Sequence, residues 1–562
     1  MEKTKIVIVG GVAGGMSVAA RLRRLDQNAE IIVLEQGEHV SFANCGLPYY
    51  VGGEIVDEAQ LLVQTPQSLR ESLNLDVRTH HQVISFDAAA KTVRVSVAGQ
   101  ESELSYDHLV LAPGAVAARP PIPGLDHPLV HTLRDVKDAA TLKSMVVSGA
   151  KHAVVLGAGF IGLEAAEGLK AQGLNVTLIE MAPHVLPPLE QEMAWLVSQE
   201  LLELGIDVRE GIAATKIEDQ NGVAQVSLSD QDVLSADLVV LSVGTRPATA
   251  PFAACGLACD EQGAIITDEQ GRTNLANVWA LGDAVASVDA VTGVSRSVQL
   301  AGPANRSGRL VADAIGNTPC ARQIPKLFGT AILRVGSLTA AMTGANRASL
   351  ERAGMEYTTL HLHPLHHAGY FPGASQVHLL VHIEPETGKI LGAQGVGGAG
   401  VDKRIDVLAT AMRAGLTAPD LIDIDLAYSP LYGSAKDPVT MVGFLADNVL
   451  TGQTKLWYPT GLDWARKQCL ILDVRTPDEF ASGHVLEAVN IPHVELRESL
   501  AKVVALAAGR PIAVMCQSGV RSYIAHRILA SAGLDSQTLS GGMLTLRAYL
   551  GANADDAITK SR

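Results

Sequence analysis

The chain has 562 residues, too many for one hydrophobic core, so roughly three or four domains are expected. Its formal net charge is −15, with the acids spread along the chain, which argues against nucleic acid as a partner because phosphate binding needs a basic face. No apolar run reaches transmembrane length, and Met1–Lys5 leads straight into a strand without room for a signal peptide, so a cytoplasmic protein that avoids membranes is expected.

Ile6-Val7-Ile8-Val9 is a continuous β-branched run and predicts a buried parallel strand. Gly10-Gly11-Val12-Ala13-Gly14-Gly15 follows, then a helix rich in Ala and Arg, then a strand Ile31–Leu34 ending in Glu35. This is a βαβ unit with a glycine turn. The turn lets backbone approach a pyrophosphate, the helix N-terminus stabilises its charge, and Glu35 would bond the adenosine ribose. Val12 stands where the fingerprint usually has its middle glycine. Arg21, Arg23 and Arg24, read in isolation, form a solvated helix face.

Cys45 comes next, in Ser41-Phe42-Ala43-Asn44-Cys45-Gly46-Leu47-Pro48-Tyr49-Tyr50, with no second cysteine nearby. Its sulfur partner must therefore come from a substrate or a cofactor. The βαβ unit then recurs: Ala153–Leu156, the full motif Gly157-Ala158-Gly159-Phe160-Ile161-Gly162, and Val176–Ile179 ending in Glu180. An acid at that place accepts from a free 2′-hydroxyl and repels a 2′-phosphate, which favours NADH over NADPH. Two such units, each with its acid, carry far more weight than one glycine loop.

His361, His363, His366 and His367 raise the question of a metal. His361 and His363 share a face of an expected strand, but no Cys or carboxylate stands at ligand spacing, so no metal is expected. The six cysteines are too sparse for a disulfide framework. Cys255, Cys259, Cys320 and Cys469 read as packing residues. Beyond a linker at 447–460, Leu470–Arg475 predicts a buried strand, and a second strand, Ile512–Met515, leads into Cys516-Gln517-Ser518-Gly519-Val520-Arg521-Ser522 and a helix. A cysteine between strand end and helix start meets backbone N–H groups and a helix dipole, and Arg521 adds positive charge, so the loop suits a thiolate or persulfide.

Several of these segments resemble known families. Tyr106–Ala115, Leu241–Pro247 and Val278–Ala284 are similar to the closing loops of two nucleotide domains, the last to a flavin motif whose Asp (here Asp283) bonds the ribityl chain of FAD. Over about the first 445 residues the order resembles the pyridine nucleotide–disulfide oxidoreductase family, in its single-cysteine branch, since glutathione reductase and its kin carry Cys-x-x-x-x-Cys where this chain has Tyr50. Two classes of that branch remain. NADH oxidases and peroxidases cycle the cysteine through a sulfenic acid, and carry a His where this chain has Ala13. Coenzyme A-disulfide reductases cycle it through a mixed disulfide, and Ser41–Tyr49, His367–Gly373, Asp425–Pro430 and Ser434–Pro438 are similar to theirs. The last hundred residues, with Asp473-Val474-Arg475, Gly483-His484 and Gly541-Gly542, resemble a rhodanese domain. A phosphatase has a similar Cys loop but lacks those companions.

The resemblance implies an α/β fold: glutathione reductase-like FAD and NADH domains, an α+β dimerisation domain and an α/β rhodanese domain. The expected spans are 1–115 and 244–320 (FAD), 116–243 (NADH), 321–446 (dimerisation) and 461–562 (rhodanese). For FAD it implies Gly10, Val12, Ala13, Gly15, Glu35, Val83, Ala112, Gly114, Gly282, Asp283, Gly302 and Tyr428. For NADH it implies Gly157, Gly159, Phe160, Ile161, Gly162, Glu164, Glu180 and Gly244. Coenzyme A would meet Ser17, Arg21, Arg24, Ser41, Asn44, Asn305 and Lys436, with Gln64 and Arg70 beside them. Tyr370 and Tyr428 would reach across a homodimer to the partner's cysteine, where a phenol stabilises a thiolate or protonates a leaving one. The activity implied is reduction of coenzyme A disulfide, coenzyme A persulfide or polysulfide by NADH through FAD at Cys45, with Cys516 and Arg521 handling sulfane sulfur. The alternatives are an NADH oxidase or peroxidase, or a flavoprotein redox sensor whose rhodanese domain docks partners.

Overall fold

The computed structural model describes residues 3–319 and 321–560, so Cys320 lies outside the described residues. The chain forms two compact units, Met1–Pro183 with Leu204–Gly329, and His184–Glu203 with Thr330–Arg562.

The first unit holds two parallel five-stranded sheets. In one the order is Val278–Ala280, His108–Leu111, Lys5–Val9, Glu30–Leu34, Asp76–Arg78. In the other it is Asp207–Glu210, Asn175–Glu180, His152–Leu156, Leu238–Leu241, Val130–His131. The central strands are covered on both faces, which is why their sequences are unbroken apolar runs rather than alternating ones. Ala115–Ala117 pairs antiparallel with Thr245–Pro247, tying the two crossings together.

Each first strand leads into a glycine turn and a helix, Ala13–Leu25 or Phe160–Ala171. A Cβ on Gly15 or Gly162 would collide with the carbonyl of Gly10 or Gly157, so only glycine lets helix and strand pack this closely. Arg23 departs from the solvated-face reading. It is buried and donates to the carbonyls of Leu73, Asn74, Asp26 and Gln27, so it pins the helix end rather than facing water. A helix spanning Ala301–Ile315 crosses the first one where Gly308 meets Gly14 and Ser17.

The second unit contains an antiparallel sheet ordered Ala331–Val335, Leu338–Gly344, Ile390–Gly397, Val377–Ile383, Thr358–Leu362. It also contains a parallel sheet ordered Leu456–Trp457, Ser536–Leu539, Ile512–Met515, Leu470–Asp473, Val489–Asn490. The expected linker at 447–460 is mostly ordered structure. The helix Pro438–Leu450 runs into it, and Leu456–Trp457 already belongs to the second sheet. Cys469 is buried in that domain's core, and Cys255 and Cys259 pack against the core of the first unit. Among the described residues no helix is long and apolar enough to cross a membrane.

Candidate active site

Cys45 lies in a single 3-10 turn, Asn44–Gly46, just before the short helix Leu47–Val51. The loop is held from both sides: Ser41 N–H donates to Gly11 O at 2.8 Å, and Ala43 N–H to Leu61 O at 2.8 Å. Ser41 adopts φ +49°, a left-handed conformation uncommon for a residue with a side chain, and this turns the chain back over the first glycine loop. Cys45 is exposed on one side. On the other, burial first, then the carboxylates of Glu164 and Asp283, push its thiol up from the usual value. Tyr50 occupies the place of a second sulfur. It is buried, and its hydroxyl donates to Glu58 at 3.3 Å.

Those two carboxylates come from opposite halves of the first unit. Glu164 belongs to the helix Phe160–Ala171 and accepts from the Tyr49 hydroxyl at 3.1 Å. Asp283 sits in the 3-10 turn Gly282–Ala284, 3.3 Å from Arg134, and burial outweighs that guanidinium to push its carboxyl up. Arg134 also donates to Ala115 O, so it bridges the Asp283 turn and the crossover strand.

Both glycine turns fit a dinucleotide. Neither helix has a side chain capping its N-terminus, which begins at Val12 in one and Gly159 in the other, so the first N–H groups stay available to an anion. A Cβ on Gly159 would meet nothing within 4 Å, so backbone there faces open space, with Phe160 and Ile161 half-buried behind it. Glu35 accepts from Gly11 and Gly37 N–H, each at 2.8 Å, and Glu180 from Ala158 at 2.7 Å and Ala182 at 2.8 Å. Both acids are thus fixed at the lips of their turns. Ala112, Gly114, Gly244 and Gly302 lie at the ends of the same sheets or at the start of the crossing helix. Val83 is different. Its side chain is buried in the core beneath a small antiparallel sheet, leaving only its backbone for contact with a ligand.

The residues expected at coenzyme A divide into two groups. Ser17 and Asn305 meet across the helix crossing, their side chains hydrogen-bonded at 2.5 Å. Arg21 is tied to Asp313 at 2.6 Å, whereas Arg24 is exposed and makes only a 3.3 Å bond to Ala20 O. Asn44 is exposed beside Cys45. Gln64 accepts from Ser68, and Arg70 sits 3.7 Å from Asp76; both belong to the surface around the helix Pro66–Leu73.

In the second unit Tyr370 and Tyr428 come together, hydroxyl to hydroxyl at 3.3 Å, and both are largely exposed (76 % and 51 %). The hydrogen bond from Tyr428 raises the Tyr370 phenol above its usual value. Buried Arg404 explains why the two loops meet. It donates to His366 O and to Asp437, the cap of the helix that follows exposed Lys436. Phe371, Leu431 and Tyr432, within four residues of one or other tyrosine in the sequence, are also exposed.

Cys516 is fully buried at the end of Ile512–Met515. Its sulfur accepts from Gly519 N–H at 3.2 Å and donates to Ser522 Oγ at 3.5 Å, and Ser522 in turn accepts from Thr538 at 2.6 Å. Arg521 is not a free positive charge. Both of its terminal nitrogens bond Glu479 at 2.7 Å, and this pairing holds the Glu479 carboxyl down at about 2. Glu479, Arg134 and Arg404 were all missed by the motif reading, because each lies far along the chain from its partner. Among the described residues no group of three or more His, Cys, Asp or Glu could hold a metal ion.

Residues 4–308 match the family model described as pyridine nucleotide-disulphide oxidoreductase, residues 331–437 its dimerisation domain, and residues 461–548 a rhodanese-like domain. The coenzyme A disulfide reductase of Staphylococcus haemolyticus is 34% identical over 446 residues, covering 79% of this chain and 99% of its own. The structure of reduced CoADR-RHD from Bacillus anthracis superposes with a TM-score of 0.95 at 38% identity, covering 98% of this chain and 99% of its own. The NAD-dependent persulfide reductase from A. fulgidus gives 0.91 at 37% identity, with 96% and 100% covered.

Proposed function

The chain belongs to the pyridine nucleotide-disulphide oxidoreductase family, and from that premise we propose that it reduces coenzyme A persulfide, polysulfide and coenzyme A disulfide at Cys45, at the expense of NADH, in the cytoplasm. The observation that carries this reading is an exposed cysteine, alone in its loop, lying within the electrostatic reach of both nucleotide-binding halves, through Glu164 on one and Asp283 on the other. Similarity to the Bacillus and A. fulgidus proteins over nearly the whole chain supports it, because both match the rhodanese end as well.

Glu35, the uncapped turn at Val12 and Ala13, and Asp283 would hold FAD; Glu180 and the turn at Gly159 would hold NADH. FAD, when bound, supplies an electron pair drawn from NADH. Cys45 as thiolate attacks a coenzyme A sulfur. With coenzyme A disulfide the S–S bond breaks and one coenzyme A thiolate leaves. With coenzyme A persulfide, hydrosulfide leaves instead. Both give one Cys45–coenzyme A disulfide. Splitting it takes two electrons and one proton for the departing coenzyme A, and returns Cys45 as thiolate.

Burial, then the two carboxylates, raise the Cys45 thiol, so the thiolate needs donors from elsewhere. In a homodimer, Tyr370 and Tyr428 of the partner subunit supply them, and the partner subunit's Lys436 meets the coenzyme A phosphates together with Arg24, Ser17 and Asn305. The exposed apolar side chains of Phe371, Leu431 and Tyr432, near the two phenols in sequence, support a covered face there. At Cys516 the thiolate attacks the outer sulfur of a sulfane donor, whose S–S bond breaks to release the donor's thiolate or sulfite; coenzyme A thiolate then takes that sulfur from the Cys516 persulfide, forming coenzyme A persulfide and returning Cys516 as thiolate. NADH oxidation followed without oxygen, with coenzyme A persulfide as acceptor, tests this. Turnover that releases one hydrosulfide per NADH is expected. Rapid NADH loss in air with no sulfur acceptor, and none with the persulfide, would contradict it.

A further inference from the structure

Two of the four histidines that raised the question of a metal, His361 and His363, belong to a network with Glu192, His378 and the hydroxyls of Ser540 and Thr545. His361 Nε2 lies 2.9 Å from Glu192, and its Nδ1 lies 2.8 Å from Ser540 Oγ. His363 Nδ1 lies 2.8 Å from His378, and its Nε2 lies 2.8 Å from Thr545 Oγ1. Arg347 binds Glu192 at 2.9 Å and Glu190 at 3.4 Å, and Glu190 also meets His382 at 3.0 Å. Burial pushes Glu192 up, but the His361 hydrogen bond and the charges of His361 and Arg347 hold it far below the usual carboxylate range. Burial pushes His363 and His378 down, His378 to about 4, so that pair stays neutral at pH 7.

The serine and threonine ends of this network belong to the sulfur-transfer loop's own support. Ser540 and Thr545 flank the start of the helix Gly542–Leu550. That helix spends its first N–H groups on the Cys516 loop: Met543 donates to Cys516 O at 2.8 Å, and Leu544 to Gln517 O at 3.0 Å. Between them Gly541, at φ +69°, is pressed so close that a Cβ would stand 2.7 Å from His361 Cβ and 2.9 Å from His363 Nε2. Nothing can slacken at His361 or His363 without loosening the turn that holds Cys516.

We propose that His361 and His363, from the sheet of the dimerisation domain, are positioning residues for Cys516: by holding Ser540 and Thr545 they fix the helix whose amides hold the Cys516 loop. The rhodanese-like site is then complete only with the neighbouring domain's strand in place. This rests on the reading of Cys516 as a sulfur nucleophile. The geometric brace is testable without it.

The experiment uses the full-length holoenzyme with three readouts: hydrogen exchange of the peptide spanning 516–522, transfer of sulfane sulfur from thiosulfate to cyanide, and NADH oxidation with coenzyme A disulfide. His361→Leu and His363→Leu are expected to speed loop exchange and lower the kcat of transfer by about tenfold, with KM for thiosulfate and coenzyme A disulfide reduction at parent levels. His363→Gln, whose amide can reach Thr545, should recover most of the loss. Unchanged exchange and transfer in both leucine variants would overturn the proposal. So would a general collapse, in which FAD content and coenzyme A disulfide reduction fall in His363→Gln as far as in His363→Leu. A parent that transfers no sulfur but still shows the exchange difference would support the brace and overturn the sulfurtransferase reading.

Discussion

The two cysteine loops solve opposite problems. Cys45 is exposed, next to two carboxylates that oppose its ionisation, and its loop holds no other sulfur. Cys516 is buried, its sulfur accepting from an amide N–H and donating to a serine oxygen, with an arginine in its loop whose charge is shared with Glu479. A buried cysteine in a preformed cradle has its hydrogen-bond partners already in place. An exposed one beside acids depends on what is brought to it: cofactor, substrate and, in the proposed homodimer, the phenols of a second subunit. One loop has its sulfur's partners within its own domain, and the other leaves its sulfur open on one side.

The contrast can be broken most sharply by exchanging each sulfur for oxygen. Cys45→Ser should lower NADH-dependent reduction of coenzyme A disulfide by at least about a thousandfold, since it removes the nucleophile, while thiosulfate-to-cyanide transfer persists; Cys516→Ser should do the reverse. Loss of both activities in either variant, measured by steady-state kinetics, would mean that the loops are not separable. Next in size, Tyr428→Phe should lower kcat for coenzyme A disulfide by about tenfold to a hundredfold without touching sulfur transfer, and mixing it with Cys45→Ser subunits should restore some activity only if the phenol serves the other subunit. At the nucleotide side, Glu180→Gln should cut the ratio of kcat/KM for NADH over NADPH by about tenfold; an unchanged ratio would place ribose selection elsewhere.

Two smaller effects sharpen the electrostatics. Glu164→Gln removes one of the carboxylates that raise the Cys45 thiol, so alkylation of Cys45 by iodoacetamide at neutral pH should be faster by about threefold, with Cys516 unaffected. The Glu479–Arg521 pair should also give a small acid-sensitive increment of stability. The Glu479 carboxyl falls from 4.5 unfolded to about 2 folded, so the increment is complete above about pH 4.5 and is lost as pH falls toward 2. The pair is partly exposed, so about 1 kcal/mol or less is expected, seen as a steeper acid dependence of Tm in the parent than in Glu479→Gln.

What the sequence disclosed follows the range of the contacts involved. The glycine turns, Glu35 and Glu180 act on backbone a few residues away or one strand over, and such local geometry leaves a motif that can be read. The lone Cys45 was legible for the same reason: its missing partner would have stood five residues on, at Tyr50. Arg23 went astray because a run of arginines on a helix reads as a solvated face, and nothing local says that the carbonyls of Leu73 and Asn74 will close over one of them. Arg134 with Asp283, Arg404 with Asp437, and His361 between Glu192 and Ser540 join positions far apart in the chain, so no periodicity marks them. The histidines invited a metal because histidine is a common ligand. His361 meets Glu192, a carboxylate already engaged by Arg347, and the Ser540 hydroxyl, while His363 meets His378 and the Thr545 hydroxyl.

The central claim is that the sulfur partner of Cys45 is coenzyme A. Peptide mass analysis of the holoenzyme, treated with coenzyme A disulfide under argon and quenched in acid before and after one equivalent of NADH, tests it most directly. The account expects one coenzyme A mass on the Cys45 peptide, none on the Cys516 peptide, and its loss on adding NADH. A Cys45 peptide free of coenzyme A, or one that cycles only between thiol and a single added oxygen, would contradict it.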